Sequence, residues 1–240
     1  MSARSLRGAT RQPDALILTI ALPSILMLLF VYVFGGAIAV GTDYVRYVVP
    51  GVIVLCAGYG AAITAVSVAS DMELGVIDRF RSLPIAGSAV LTGHVVASLV
   101  RNTLATAIVL VVAWITGFRA NASVTDWLLA LALLLLFVLA VSWLATALAL
   151  VVGSAESANA ITSIMLFLPY LSSGFVPTDT MPGPLAAIAR HQPYTPLIET
   201  IRGLLLGTPI GSNGVVAVAW LAGILVVSYI AARLLFRRHA

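Results

Sequence analysis

The run WLLALALLLLFVLAVSWLATALALVV, from Trp127 to Val152, carries no charged residue over 26 positions. At about 1.5 Å of rise per residue, about 20 apolar residues are enough to cross a hydrocarbon core about 30 Å thick. The stretch therefore reads as a membrane-spanning helix. Working outward, five more windows meet the same criterion: Ala15–Phe34, Tyr47–Ser70, Ser98–Phe118, Ala158–Val176 and Val215–Phe236. The spacing predicts an all-α, polytopic membrane protein of six transmembrane helices forming one domain over residues 1–240. Barrel strands are excluded, because they alternate in polarity over about ten residues, and these runs are continuous.

Composition agrees. Hydrophobic residues make up 61% of the chain and charged residues 9%, against roughly one quarter charged in soluble domains. Arg4, Arg7 and Arg11, followed by an apolar run and Ala37-Ile38-Ala39, have the outline of a secretory signal with its cleavage site. A signal's apolar region is about 7–15 residues, and Ala15–Phe34 is longer.

Six spans put both termini on one side, and arginine placement says which. Arg4, Arg7, Arg11, Arg79, Arg81, Arg233, Arg237 and Arg238 fall on the terminal side, and Arg46, Arg119, Arg190 and Arg202 on the other. That asymmetry predicts cytoplasmic termini. Arg101 is placed in the first turn of the third span, where its long stem would snorkel to the interface. The net charge of +4 thus reads as topology and not as nucleic-acid binding.

All thirteen basic residues are arginine, so the chain has no lysine. A Walker A phosphate loop and Schiff-base chemistry both require one, which excludes a nucleotide-binding domain of that kind and imine catalysis. Cys56 is the single cysteine, so no internal disulfide or multi-cysteine metal site is expected. A nucleophile elbow of the Gly-x-Ser-x-Gly type is absent, and His94, His191 and His239 are assigned to loops or tails, which weighs against an intramembrane hydrolase.

Three irregular regions remain. The first is the amino-terminal segment with Arg7, Arg11 and Pro13, where Pro13 disfavours helix at Gln12. The second is the connection between spans two and three, which packs Asp71, Glu73, Asp78, Arg79 and Arg81 among Leu74, Ile77, Phe80 and Leu83. Apolar residues at three-residue spacing suit a short helix with one apolar stripe. Exposed ion pairs are worth only about 0–1 kcal/mol, too little to explain the cluster as a stabiliser, so it reads as a docking surface for a soluble partner. The third is Pro177–Gly214, too apolar for an ordinary loop. Thr195 is expected to cap a helix with Pro196 at its first position and Leu197, Ile198, Ile201, Leu204 and Leu205 on one face. That helix is too short to span and should be re-entrant or interfacial, with Glu199 and Arg202 on its polar side. Pro177, Pro182 and Pro193 punctuate the region.

The middle thirds of the six windows hold no charged residue. A charge there costs about 2.5–3.5 kcal/mol, and ion-coupled carriers keep one for their relay, so an external motor is expected instead. Thr64, Ser67, Asn159, Thr162 and Ser163 are the polar groups that could line a cavity, although bonding to helix carbonyls or helix packing is the favoured account of each.

Taken in order, these features resemble the ABC type-2 exporter permeases, most closely the daunorubicin-resistance-like multidrug branch. The resemblance rests on Arg11-Gln12-Pro13-Asp14 before a first span with Pro23 and Phe34-Gly35-Gly36, on Glu73-Leu74-Gly75, and on Arg79-Phe80-Arg81-Ser82-Leu83-Pro84. It continues through Ser173-Gly174-Phe175-Val176-Pro177, Met181-Pro182, Pro193 and Arg202-Gly203. Met72 and Val76 stand where the family often has arginine and threonine.

The resemblance implies a multi-pass permease subunit of the plasma membrane, paired with a second permease and with cytoplasmic ABC ATPase subunits that hold ATP and magnesium. No cofactor is expected in this chain itself. Asp71, Glu73, Gly75, Asp78, Arg79, Arg81 and Pro84 would form the ATPase-coupling loop, with Arg7, Arg11 and Pro13 beside it. Pro177, Pro182, Pro193, Glu199 and Arg202 would belong to the outer gate. The implied function is efflux of drugs or other amphipathic compounds. Export of lipid or polysaccharide-lipid, a non-transporting scaffold and an ion-driven carrier are the competing readings. The arginine-only, alanine-rich composition suggests a GC-rich bacterial genome.

Overall fold

The computed structural model describes residues 13–35, 43–75 and 88–238, and the side chains of 21–35, 43–75 and 91–236. Arg7 and Arg11 lie outside the described residues, as do Asp78, Arg79, Arg81 and Pro84 and the short helix expected there.

Eight α-helices make up almost everything described. They are α1 (Pro13–Leu29), α2 (Tyr44–Glu73), α3 (Ser88–Ile115), α4 (Val124–Val152), α5 (Ala155–Phe167), α6 (Gly183–His191), α7 (Tyr194–Leu206) and α8 (Asn213–Arg238). Among the described residues, four helical stretches are long and apolar enough to cross a membrane: Tyr44–Glu73, Leu91–Ile115, Val124–Val152 and Asn213–Phe236. The first expected span is covered by α1 and by the π-helical turn at Phe30–Phe34 that continues it. The fifth takes a different form. α5 stops at Phe167 after 13 residues, and a 3₁₀ turn follows at Leu168–Leu171. Pro169 explains the break, since it has no N–H to donate and its ring collides with the carbonyl four residues back.

Local chemistry sets the other boundaries. α4 begins three residues before Trp127 because Ser123 and Asp126 form a capping box. Ser123 N–H donates to Asp126 Oδ2 at 2.9 Å, and Asp126 N–H donates to Ser123 Oγ at 3.2 Å. It ends at Gly153, whose φ of 69° closes the last turn in the left-handed region. α3 begins ten residues before the apolar window does, at Ser88. His94, Ser98 and Asn102 interrupt the apolar pattern, yet they face neighbouring helices and not loop solvent.

α2 is the central helix. Most of its length is buried, and its Val48, Val52, Ile53, Leu55 and Ala57 are essentially inaccessible. It packs against α1, α3, α4, α5 and α7. By contrast α8 and α3 leave Val215, Val227, Leu104 and Ile115 exposed. Apolar side chains on the outside are what a lipid-facing surface requires.

α7 occupies the place expected of the short re-entrant helix, but it is packed into protein on nearly every side. Tyr194, Leu197, Ile198, Ile201, Arg202, Leu204 and Leu205 are all buried. Its start also differs from expectation. Pro193 is the cap residue and Thr195 lies inside the first turn, where its hydroxyl donates to the Ala189 carbonyl and accepts from Ser173 N–H at 3.3 Å. Thr195 thus joins two segments instead of capping one.

Candidate functional site

Three sets of polar contacts between α2 and its neighbours stand out among the described residues along its length of about 45 Å. Each is built from residues that the apolar pattern alone would not single out.

At the Tyr44 end, Pro50 stands inside α2 and cannot donate to the Arg46 carbonyl, so the first turns lack one ladder bond. Bonds from other elements converge on these turns. Arg202 of α7 donates to the Tyr47 carbonyl from Nε at 3.2 Å and from Nη2 at 2.9 Å. Nη2 also donates to the Ser173 carbonyl at 2.9 Å, and Nη1 donates to Glu199 Oε1. The guanidinium carbon stands 3.9 Å from the centre of the Tyr47 ring. A planar fork that serves two carbonyls, a carboxylate and an aromatic face is work lysine could not do.

The segment around Ser173 is held from the other side as well. Tyr44 donates its phenol to the Phe175 carbonyl at 3.0 Å. Phe175 packs between Phe30 of the α1 π-turn, at 4.6 Å, and Tyr170, at 5.1 Å. Gly51 and Gly174 let the two backbones touch: a Cβ on Gly51 would stand 2.6 Å from the Gly174 carbonyl oxygen. Gln192, just after α6, donates to the Leu168 carbonyl at 3.2 Å. Pro177, Pro182 and Pro193 occupy the cap positions of the Thr178–Thr180 turn, α6 and α7. Arg202 and Glu199 therefore meet as expected, but Arg202 does not lie on an exposed polar face. It is 8% exposed and points inward, where the Tyr47 and Ser173 carbonyls are its acceptors.

At the middle level, Arg101 of α3 donates from Nη2 to the Gly60 carbonyl and to Thr64 Oγ1, both at 3.0 Å. The early start of α3 makes Arg101 its fourteenth residue of 28, and Gly60 is the seventeenth of 30 in α2. The expectations of a snorkelling Arg101 and of charge-free span centres are thereby overturned: the side chain turns sideways into the α2 seam. Beside it, Asn102 donates to the Ser98 carbonyl at 2.9 Å, and the Ser98 and Ser142 hydroxyls bond at 2.8 Å, linking α3 to α4. The Asn102 carboxamide lies against Gly60, leaving no room for a Cβ there.

At the Glu73 end, Asp71 Oδ2 and His94 Nε2 stand 3.0 Å apart, tying α2 to α3 on either side of the connection between them. His94, expected in a loop, is inside α3. Glu73 is the last residue of α2 and is exposed. Gly75 follows with φ of 64°, its N–H bonded to the Met72 carbonyl at 3.0 Å.

Of the residues proposed to line a cavity, Ser67, Thr162 and Ser163 donate to the carbonyls of Ile63, Ala158 and Asn159, one turn back in their own helices. Thr64 donates to the Gly60 carbonyl at 3.1 Å while accepting from Arg101. Asn159 is exposed. A cavity of about 270 Å³ lies elsewhere: between α3 and α4 over Ile201 and Leu205 of α7, with almost wholly apolar walls. Among the described residues no group of three metal-ligating side chains comes together.

Residues 1–206 match the family model of the ABC-2 type transporter. The chain is 33% identical over 207 residues to the daunorubicin resistance ABC transporter permease protein DrrB1 of Streptomyces coeruleorubidus, covering 85% of this chain and 73% of that protein. It is 25% identical over 221 residues to a probable doxorubicin resistance ABC transporter permease protein, DrrC, of Mycobacterium tuberculosis, covering 91% of this chain and 80% of the relative.

Proposed function

The chain belongs to the ABC-2 type transporter family, and from that membership we propose that it is the permease subunit of an ATP-driven exporter of drugs and other amphipathic compounds. The long apolar helices make it a multi-pass membrane protein. The names of both relatives support a drug as cargo. In this reading the protein sits in the plasma membrane with cytoplasmic termini, works beside a second permease, and takes its energy from a separate ATPase chain that holds ATP and magnesium.

One observation carries the mechanism. α2 is continuous from Tyr44 to Glu73, with the clasp of Arg202 at one end and the Asp71–His94 pair at the other. Closure of the ATPases would push on the connection after Glu73. α2 and α3, joined at Asp71–His94 and again at Arg101–Thr64, would move together. Arg202 would carry that movement into α7 and the Ser173–Pro177 segment, which would act as the outer gate. A gate needs two discrete states biased by the motor; in this reading Arg202 would hold the Tyr47 and Ser173 carbonyls together in one state and release one of them in the other.

Affinity purification of the tagged chain from mild detergent tests the partnership. A soluble protein with a phosphate-loop motif should co-purify. Recovery of the intact membrane protein with no ATPase would favour a scaffold or an ion-driven carrier.

A further inference from the structure

Arg101 is a permanent cation at the midpoint of two packed helices, yet both acceptors it meets, the Gly60 carbonyl and the Thr64 hydroxyl, are neutral. Its Nε is buried with no acceptor. Among the described residues no carboxylate pairs with it: the ion pairs there are Asp71–His94, Asp179–Arg190 and Glu199–Arg202. Of the carboxylates among the described residues, Asp14, Asp43, Asp71, Glu73, Asp126, Glu156 and Asp179 stand at helix ends or in connections, and Glu199 is held by Arg202.

A buried charge with only neutral partners is a standing deficit in a low dielectric, and intramembrane cations characteristically face a counter-ion or a water-filled path. Arg101 is also only partly buried, unlike Asn102 beside it, so the seam is open to one side. On α2 the neighbouring Ile63, Val66, Ser67 and Ser70 are partly exposed too, which continues the opening along that helix.

We propose that the α2–α3 seam at Arg101 is a binding site for the anionic group, a carboxylate, sulfonate or phosphate, of an amphipathic molecule. The ligand's anion meets the guanidinium, and its apolar body lies along the partly exposed face of α2 that carries Ile63 and Val66. Anion-bearing amphiphiles bind in preference to neutral or cationic ones of the same shape. The site is additional to the drug cargo of the exporter reading and does not rest on that reading.

The test places a cysteine at Ser67, one turn from Thr64, in a Cys56→Ala background, with the full chain in lipid nanodiscs. Two methanethiosulfonate reagents of similar size are compared, one bearing a sulfonate and one a trimethylammonium group. A thiol in an apolar lipid-facing position reacts with neither, because the thiolate does not form there. The Ser67→Cys thiol should react, and the sulfonate-to-ammonium rate ratio should fall about tenfold in Arg101→Gln while holding in Arg101→Lys. Naphthalenesulfonate should protect the thiol, and a naphthyl trimethylammonium ion should not. An unreactive thiol, a ratio indifferent to Arg101→Gln, or equal protection by both naphthyl compounds would overturn the site. Labelling needs neither ATP nor an ATPase, so loss of efflux with intact labelling would count against the exporter reading alone.

Discussion

Arg202 binds Tyr47 twice over, through the backbone carbonyl at 2.9 Å and through the ring face at 3.9 Å. One side chain of α7 thereby fixes both the position and the rotation of the first turns of α2. Truncating it leaves Glu199 without its cation and removes the donor that ties the Tyr47 and Ser173 carbonyls together. Arg202→Met should destabilise the protein by about 3 kcal/mol, within the range for breaking a buried pair. Arg202→Lys should lose less stability but still lose transport, because an ammonium cannot serve both carbonyls and the ring. Thermal unfolding in detergent, followed by tryptophan fluorescence, separates the two.

Gly51 and Gly58 form a matched pair on α2. A Cβ on Gly51 would come 2.6 Å from the Gly174 oxygen and 2.8 Å from its Cα, whereas one on Gly58 meets nothing within 4 Å. Gly51→Ala should prise the Ser173–Pro177 segment off α2 at a cost of about 1–3 kcal/mol, as overpacking brings. Gly58→Ala should be neutral or stabilising by about 0.5–1 kcal/mol through helix propensity. Equal behaviour of the two variants in a melting experiment would show that the close approach is not maintained.

The Asp71–His94 contact is partly exposed, with side chains 34% and 19% accessible. Its removal should therefore cost little stability, about 0.5–1 kcal/mol. On the proposed coupling role of the connection after Glu73, its effect on function should be larger. Asp71→Asn and His94→Ala should each lower the amount transported per ATP hydrolysed, and the double variant should be no worse than either single one. Additive losses would mean that the two residues act independently.

Glu73 ends α2 with its carboxylate exposed, and Arg81 lies eight residues on, outside the described residues. Replacing either with glutamine should weaken ATPase binding while leaving membrane abundance unchanged. Equal loss of abundance in both would identify them as folding residues, which quantitative blotting of membranes decides.

How far the sequence was legible follows from which forces write themselves into composition. α4 could be read outright, since an uncharged run of 26 residues has one physical use. α3 was read ten residues short, because hydropathy counts His94, Ser98 and Asn102 as polar wherever they point, and here they bond across helix seams. The same blindness hid the depth of Arg101. The break after Phe167 had a visible cause in Pro169, but an apolar window does not register a missing N–H. Arg202 was recognised as a residue of interest and assigned to the wrong environment: helical periodicity shows that it shares a face with Glu199, and only tertiary packing decides that this face meets carbonyls and not water. The pairing of Asp71 with His94, 23 residues away, left no local trace.

Transport in vesicles tests the central claim most directly. The chain would be reconstituted with its co-purifying ATPase in inside-out vesicles, and uptake of a fluorescent anthracycline followed with ATP, with a non-hydrolysable analogue, and with a proton gradient alone. The account predicts uptake with ATP only, lost in Arg202→Lys while ATP hydrolysis continues. Uptake driven by the proton gradient without ATP, or an Arg202→Lys protein that transports normally, would contradict it.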